Sequence, residues 1–163
     1  MNAATRWKLF CAVSPGLEDL LEAELNTIPE AGTVRQISGG CEVQVSPAGV
    51  WAVVHRSRLT ESARVRIGSF RARTFDELHA GIRKAPWAAW LPRGSTPEVR
   101  VACKKSKLWH SGAVEERVQQ QVHARLAWKK GTAVERPTDA AARIYVRVDH
   151  DTVRLSVDAS GDL

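Results

Sequence analysis

Apolar and polar positions change period several times along the chain, and each change predicts an element. Arg6 to Val13 is an apolar run of strand length. Ser14-Pro15-Gly16 then opens a helix, since proline is tolerated in a first turn. Leu17, Leu20, Leu21, Leu25 and Ile28 follow helical spacing, and Glu18 and Asp19 suit the positive end of the helix dipole. Pro29 and Gly32 end this helix. Thr33 to Ile37 predicts a short strand and Gly39-Gly40 a turn. Cys41, Val43 and Val45 alternate with polar residues, which predicts a half-buried strand closing a hairpin. A helix from Pro47 to about Arg58 and a strand from Ser62 to Phe70 follow. The order β-α-β-β-α-β within about 70 residues is the ferredoxin-like plan.

A second unit begins at Thr74. Thr74 and Glu77 form a capping box for a helix through about Lys84. Pro86-Trp87 stops that helix, and Trp87 with Trp90 predicts a short packed turn. Val99, Val101 and Cys103 alternate with Arg100, Ala102 and Lys104, so one face of this strand is buried. In the helix predicted over Ser111 to Ala127, Val114, Val118, Val122 and Leu126 recur every four residues; Glu115 and Glu116 open it and Arg125 closes it. Residues 129–141 predict a polar loop. Ile144, Val146 and Val148, then Val153, Leu155 and Val157, alternate on either side of Asp149-His150-Asp151, a C-terminal hairpin. The pattern as a whole is α+β, with one domain over 1–73 and a second over 74–163.

Composition narrows the class. The 163 residues are 44% apolar and 26% charged, enough to bury a core. No apolar run approaches the roughly 20 residues of a membrane span. The N-terminus lacks the apolar core of a signal peptide, because Ser14-Pro15-Gly16 interrupts first, so a cytoplasmic location is expected. Cys11, Cys41 and Cys103 are odd in number and form no CxxC pair, which argues against a disulfide framework and a zinc ribbon; each reads as a small buried hydrophobe. His55, His79, His110, His123 and His150 are scattered without ligand spacing, and no metal is expected.

The net charge is +6 with a pI near 9.7, which suggests a polyanionic partner. The excess is concentrated. Residues 61–130 carry 15 basic and 6 acidic side chains, net +9, between flanks of −1 and −2. The richest stretch is Cys103-Lys104-Lys105-Ser106-Lys107-Leu108-Trp109-His110-Ser111, joining a strand to a helix N-terminus. Lysine and histidine donors, the hydroxyls of Ser106 and Ser111 and the helix dipole together suit phosphate. Trp109 fits either burial against the helix or stacking on a base. Arg64, Arg66, Arg71 and Arg73 form a second basic run; they could extend a phosphate track or pair with the acidic first helix. The chain has no GxGxxG, P-loop, GxSxG or Asp/Asn-Pro-Pro-aromatic motif and no isolated carboxylate pair, so no catalytic residue is assigned.

Several segments, in order, resemble THUMP-containing RNA methyltransferases. Ser14-Pro15-Gly16-Leu17-Glu18 with Leu21-Glu22-Ala23-Glu24-Leu25 resembles the family's opening, and Gly39-Gly40-Cys41-Glu42-Val43 its hairpin. Arg64 to Phe70, Phe75-Asp76-Glu77-Leu78 with Pro86-Trp87, and Cys103 to Arg117 are similar to its later motifs. Asp158-Ala159-Ser160-Gly161 resembles the "D-x-S-G" stretch that closes the THUMP hairpin. The resemblance implies a ferredoxin-like domain followed by a THUMP domain that holds tRNA or rRNA. It implies Lys104, Lys105, Ser106, Lys107 and His110 as RNA contacts, with Leu108, Ala113 and Val114 packing. In the family's guanine-N2 methyltransferases an S-adenosylmethionine-binding domain follows; here the chain reaches Leu163 where that domain would begin. The chain alone is therefore expected to bind no cofactor and to perform no catalysis, and to serve a methyltransferase domain in cis or in trans. The alternative is a protein-interaction module whose basic face docks an acidic partner or catalytic subunit.

Overall fold

The structure, a computed structural model, describes residues 6–127 and 142–161. The polar loop expected over 129–141 lies outside them. The chain divides into two compact units: one contains the residues up to Arg66 and those from Asp158, the other Ile67–Val157.

The first unit contains β1 (Trp7–Ala12), α1 (Glu18–Leu25), β2 (Ala31–Ile37), β3 (Gly40–Val45), α2 (Pro47–Arg56) and the first half of β4 (Ser62–Arg71). Its strand order is β2-β3-β1-β4, with β1 antiparallel to both β3 and β4 and β2 antiparallel to β3. Leu9, Cys11, Cys41, Val43 and Val45 are buried, as the alternation predicts. The helices cover this buried face: the Cys41 thiol reaches the Glu18 carbonyl of α1, and Gly49 of α2 lies against Val45. The Ser46 hydroxyl caps α2 by accepting from the Gly49 N–H at 3.1 Å, with Pro47 at the first helical position. The Cys11 thiol is pushed up to about 12 and Cys41 to about 11, chiefly by burial, so both are inert small hydrophobes.

Helix α1 departs from its predicted extent. It ends at Leu25 rather than Ile28, and Leu17 and Leu20 are exposed, Leu20 to 57%. Leu21 and Leu25 alone, one turn apart, form its buried stripe. Leu17 stands at the N-cap outside helical geometry. Leu20 lies about 100° around the axis from Leu21 and misses the core. The C-terminal end of α1 instead anchors α2's exit: the Glu24 carboxylate accepts from the Ser57 hydroxyl at 2.6 Å and from the N–H groups of Arg58 and Leu59.

The second unit contains the rest of β4, then α3 (Phe75–Lys84), α4 (Trp87–Trp90), β5 (Glu98–Lys104), α5 (Ser111–Leu126), β6 (Arg143–Asp149) and β7 (Thr152–Asp158). Its strand order is β4-β7-β6-β5. β6 and β7 are antiparallel, whereas β5 and β6 run parallel, so α5 lies in the crossover between them. Val114, Val118, Val122 and Leu126 are fully buried, as the four-residue repeat predicts. The Thr74 hydroxyl caps α3 through the Glu77 N–H, while Glu77 accepts from the N–H of Arg73 rather than Thr74. Trp87 is buried and its indole N–H donates to the Ile82 carbonyl at 2.7 Å.

Candidate functional site

Parallel pairing dictates where the basic turn emerges. Because β5 and β6 point the same way, their C-terminal ends open on one edge of the second unit, the edge where α/β folds carry ligands. There β5 gives way to the turn Lys105–His110 and then α5, and β6 gives way to the two-residue turn His150-Asp151.

The two turns are bonded together. The His150 N–H donates to the Lys104 carbonyl at 3.2 Å. The Ser106 hydroxyl donates to that same carbonyl at 2.8 Å and accepts from the Asp151 N–H at 3.0 Å. The Lys107 N–H donates to Asp151 Oδ1 at 2.8 Å. The other carboxylate oxygen, Oδ2, accepts from Arg73 Nε at 3.0 Å, and the Asp151 carbonyl accepts from the Ala72 N–H at 2.9 Å. Asp151 therefore ties the β4–α3 junction, the basic turn and its own hairpin into one edge. The Lys107 N–H, followed by the Arg73 guanidinium, holds its carboxyl below the ordinary value of 3.8. Asp149 is also lowered: burial works against its charge, but the His150 ring at 2.8 Å, Arg147 and Lys104 outweigh it.

Backbone geometry singles out the same place. Among the described residues, the non-glycine positions with positive φ are Lys105, His150 and Asp151. Each conformation costs on the order of 1 kcal/mol or more and is held by its surroundings. Leu108 is buried and pins the middle of the basic turn. That anchor leaves Trp109 67% exposed, its ring tilted on His110 with centroids 3.4 Å apart, so it is not buried against the helix. Lys104, Lys105 and Lys107 are exposed, and their ammonium groups form no ion pair with a described residue. His110 is the N-cap of α5 and makes no side-chain cap bond. Glu115 and Glu116 do not open α5 as the sequence predicts; they stand in its second turn, and the first turn carries no acid. The positive end of the helix is thus left uncompensated.

The structure distributes the predicted site residues unevenly. Lys104, Lys105, Ser106, Lys107, Trp109, His110 and Arg73 come together in the second unit, with Arg71 at the end of β4. Ser106 spends its hydroxyl inside the site, so it positions the turn. Arg64 and Arg66 belong to the first unit, where their guanidinium groups lie over the Phe10 ring at 5.9 and 4.6 Å. Arg64 Nε also donates to the Ser62 hydroxyl. Asp151 is the residue sequence reasoning passed over, reading it only as a turn former. Its partners Lys107 and Arg73 lie 44 and 78 residues away, so no local signal marks it.

No protein-family model matches the chain. In sequence it is 30% identical over 127 residues to an uncharacterized protein of Dictyostelium discoideum, covering 68% of this chain and 23% of that one. It is 29% identical over 159 residues to the ribosomal RNA large subunit methyltransferase K/L of Syntrophotalea carbinolica, covering 95% and 22%. The chain thus spans less than a quarter of the length of these curated relatives. In structure it resembles a Listeria monocytogenes protein described as a predicted N6-adenine-specific DNA methylase, with a TM-score of 0.79 at 20% identity, covering 96% of this chain and 42% of that one. TrmN from Thermus thermophilus matches with a TM-score of 0.64 at 24% identity, covering 95% and 46%. A 4-thiouridine synthetase solved with RNA and ATP matches with a TM-score of 0.53 at 10% identity, covering 94% and 41%. At these identities the structural likeness establishes the fold, a mixed α/β arrangement shared with methylases and RNA-modifying enzymes. No helix among the described residues is long and apolar enough to cross a membrane.

Proposed function

We propose that this chain is an RNA-binding module that holds structured tRNA or rRNA for an S-adenosylmethionine-dependent methyltransferase domain outside these residues, acting in cis or in trans. The observation that carries the reading is the basic edge of the second unit, where Lys104, Lys105 and Lys107 are exposed, with no ion pair to a described residue, beside the N-terminus of α5 and an exposed Trp109. Lysines and helix N–H groups take phosphates, which fixes register without reading sequence. Trp109 adds a stacking platform for an unpaired base. In this reading 1–73 is a ferredoxin-like domain, which the strand order β2-β3-β1-β4 supports. Residues 74–163 form a THUMP domain, and the reaction served is guanine-N2 methylation in the cytoplasm. The named activity of the K/L methyltransferase relative supports RNA over DNA. The chain contributes grip and placement, and no catalytic group.

Titration with folded tRNA, a large-subunit rRNA hairpin and a DNA duplex of the hairpin's sequence tests this function. Salt-sensitive binding of at least one RNA, tighter than the DNA, is expected. Equal affinity for RNA and DNA, or no RNA binding at low salt, contradicts it.

A further inference from the structure

The first unit holds a second surface of a different kind. Its helices cover the face of the sheet that carries Cys41 and Val45. By the two-residue period of strands, the opposite face presents Lys8 and Phe10 from β1, Glu42 and Gln44 from β3, Thr33 and Arg35 from β2, and Arg64 and Arg66 from β4. Register sets these side by side: Lys8 opposite Gln44, Phe10 opposite Glu42, and Arg35 on the other side of Glu42. Lys8, Arg35, Arg64 and Arg66 thus share this face with Glu42.

Lys8, Thr33, Arg35, Glu42 and Gln44 line a recess of about 250 Å³ on this face. Glu42 is only 18% exposed, while its partners Lys8 and Arg35 are 63% and 74% exposed and stand 3.9 and 3.8 Å away. Both contacts are long for charge-assisted hydrogen bonds, so neither cation is tightly spent on the carboxylate. The recess is small, below the roughly 300 Å³ at which drug-sized pockets begin, and suits a single base. Its lining offers an acceptor-only carboxylate on the mostly covered Glu42, an amide and a hydroxyl from Gln44 and Thr33, and two exposed cations.

We propose that this recess binds one unpaired nucleotide of RNA, its base amino group donating to Glu42 and its backbone phosphate lying on Lys8 and Arg35. The proposal rests on the RNA-binding reading above but concerns a separate surface. A carboxylate accepts from the N4 amino group of cytosine and repels the O4 carbonyl that uracil presents at the same position. The site therefore discriminates between two bases of equal size, which a merely basic surface does not.

Anisotropy titrations of the whole chain with end-labelled oligocytidylate and oligouridylate of equal length test this. The wild type is expected to prefer oligocytidylate about tenfold. Glu42→Gln abolishes the preference, and Lys8→Ala with Arg35→Ala weakens both ligands and lowers the log–log salt slope by about 0.7, as expected for one phosphate. The latter pair sits at exposed positions and keeps the test alive should Glu42→Gln impair folding. The variant Lys104→Ala/Lys105→Ala/Lys107→Ala retains the cytosine preference. Absence of any preference in the wild type, or a preference that survives Glu42→Gln, overturns the proposal. So does equal strengthening of both ligands by Glu42→Gln, which marks a general anion surface. Oligomer binding lost only in the triple-lysine variant overturns this site while leaving the proposed function intact. Loss of structured-RNA binding by the wild type, with the cytosine preference retained, does the reverse.

Discussion

The β2–β3 turn of the first unit and the β6–β7 turn of the second are both two residues long, between Ile37 and Gly40 and between Asp149 and Thr152. The first is built with glycine: Gly39 has φ +83°, and the following Gly40 has φ +152°. The second places His150 and Asp151 at φ +48° and +60°, and the adjoining basic turn places Lys105 at +45°. Glycine adopts these conformations without steric cost. Where a turn has only to reverse the chain, the sequence uses glycine. Where the turn must present a carboxylate or an ammonium group, it keeps the side chain and accepts the strain, offset by the bonds around Asp151. In the proposed reading, the strained turns lie at the edge that takes RNA.

The largest effect is expected at the glycine turn. A Cβ at Gly40 would lie 1.9 Å from the Cys11 carbonyl oxygen, a backbone atom that cannot step aside. Gly40→Ala should lower stability in urea unfolding by on the order of 4 kcal/mol; a loss under about 1 kcal/mol would break the close-approach argument. Next is Trp109→Ala in the basic turn. Exposed stacking is worth about 1–3 kcal/mol per base, so RNA affinity should fall roughly tenfold or more, with unfolding midpoints unchanged. A stability loss without an affinity loss would assign Trp109 to packing.

Lys105→Gly sharpens the comparison directly. Relief of the positive φ should raise stability by about 0.5–1 kcal/mol while the salt slope of RNA binding falls by about 0.9. No gain in stability would mean that the surroundings, rather than the lysine, set the cost. The smallest effect concerns Asp151. Its carboxyl is lowered from the ordinary 3.8 in the folded protein. Its contribution is therefore complete above the ordinary value and fades as pH falls through the lower folded value. Asp151→Asn should flatten the acid limb of the stability–pH curve by lowering stability most near neutral pH and least in acid, where the wild-type carboxyl has already lost its charge; an unchanged acid limb would remove Asp151 from the account.

Much of this architecture is legible in the pattern of residues. The period of two in β3, β6 and β7 and the period of four in α5 report real burial, because each element has one face on a core. Helix α1 misleads because its leucines exceed what one stripe can bury: Leu17 and Leu20 satisfy the spacing and lie outside the core. The basic turn is legible as a local run of lysines. Its organisation is not, since Ser106, Lys107 and Arg73 meet at Asp151 only through the parallel crossover and the C-terminal hairpin. The division of the arginine run is equally hidden: Arg64 and Arg66 pack on Phe10, whereas Arg73 joins Asp151.

The central claim is that the edge carrying Lys104, Lys105 and Lys107 grips phosphate. The most direct test compares RNA affinity of the wild type and of Lys104→Ala/Lys105→Ala/Lys107→Ala across a range of salt concentrations. If all three lysines neutralise phosphates, the slope of log affinity against log salt should become shallower by about 2.7 for a duplex-like contact, with the fold retained. Parallel lines of equal slope for the two proteins would place the RNA elsewhere and contradict the account.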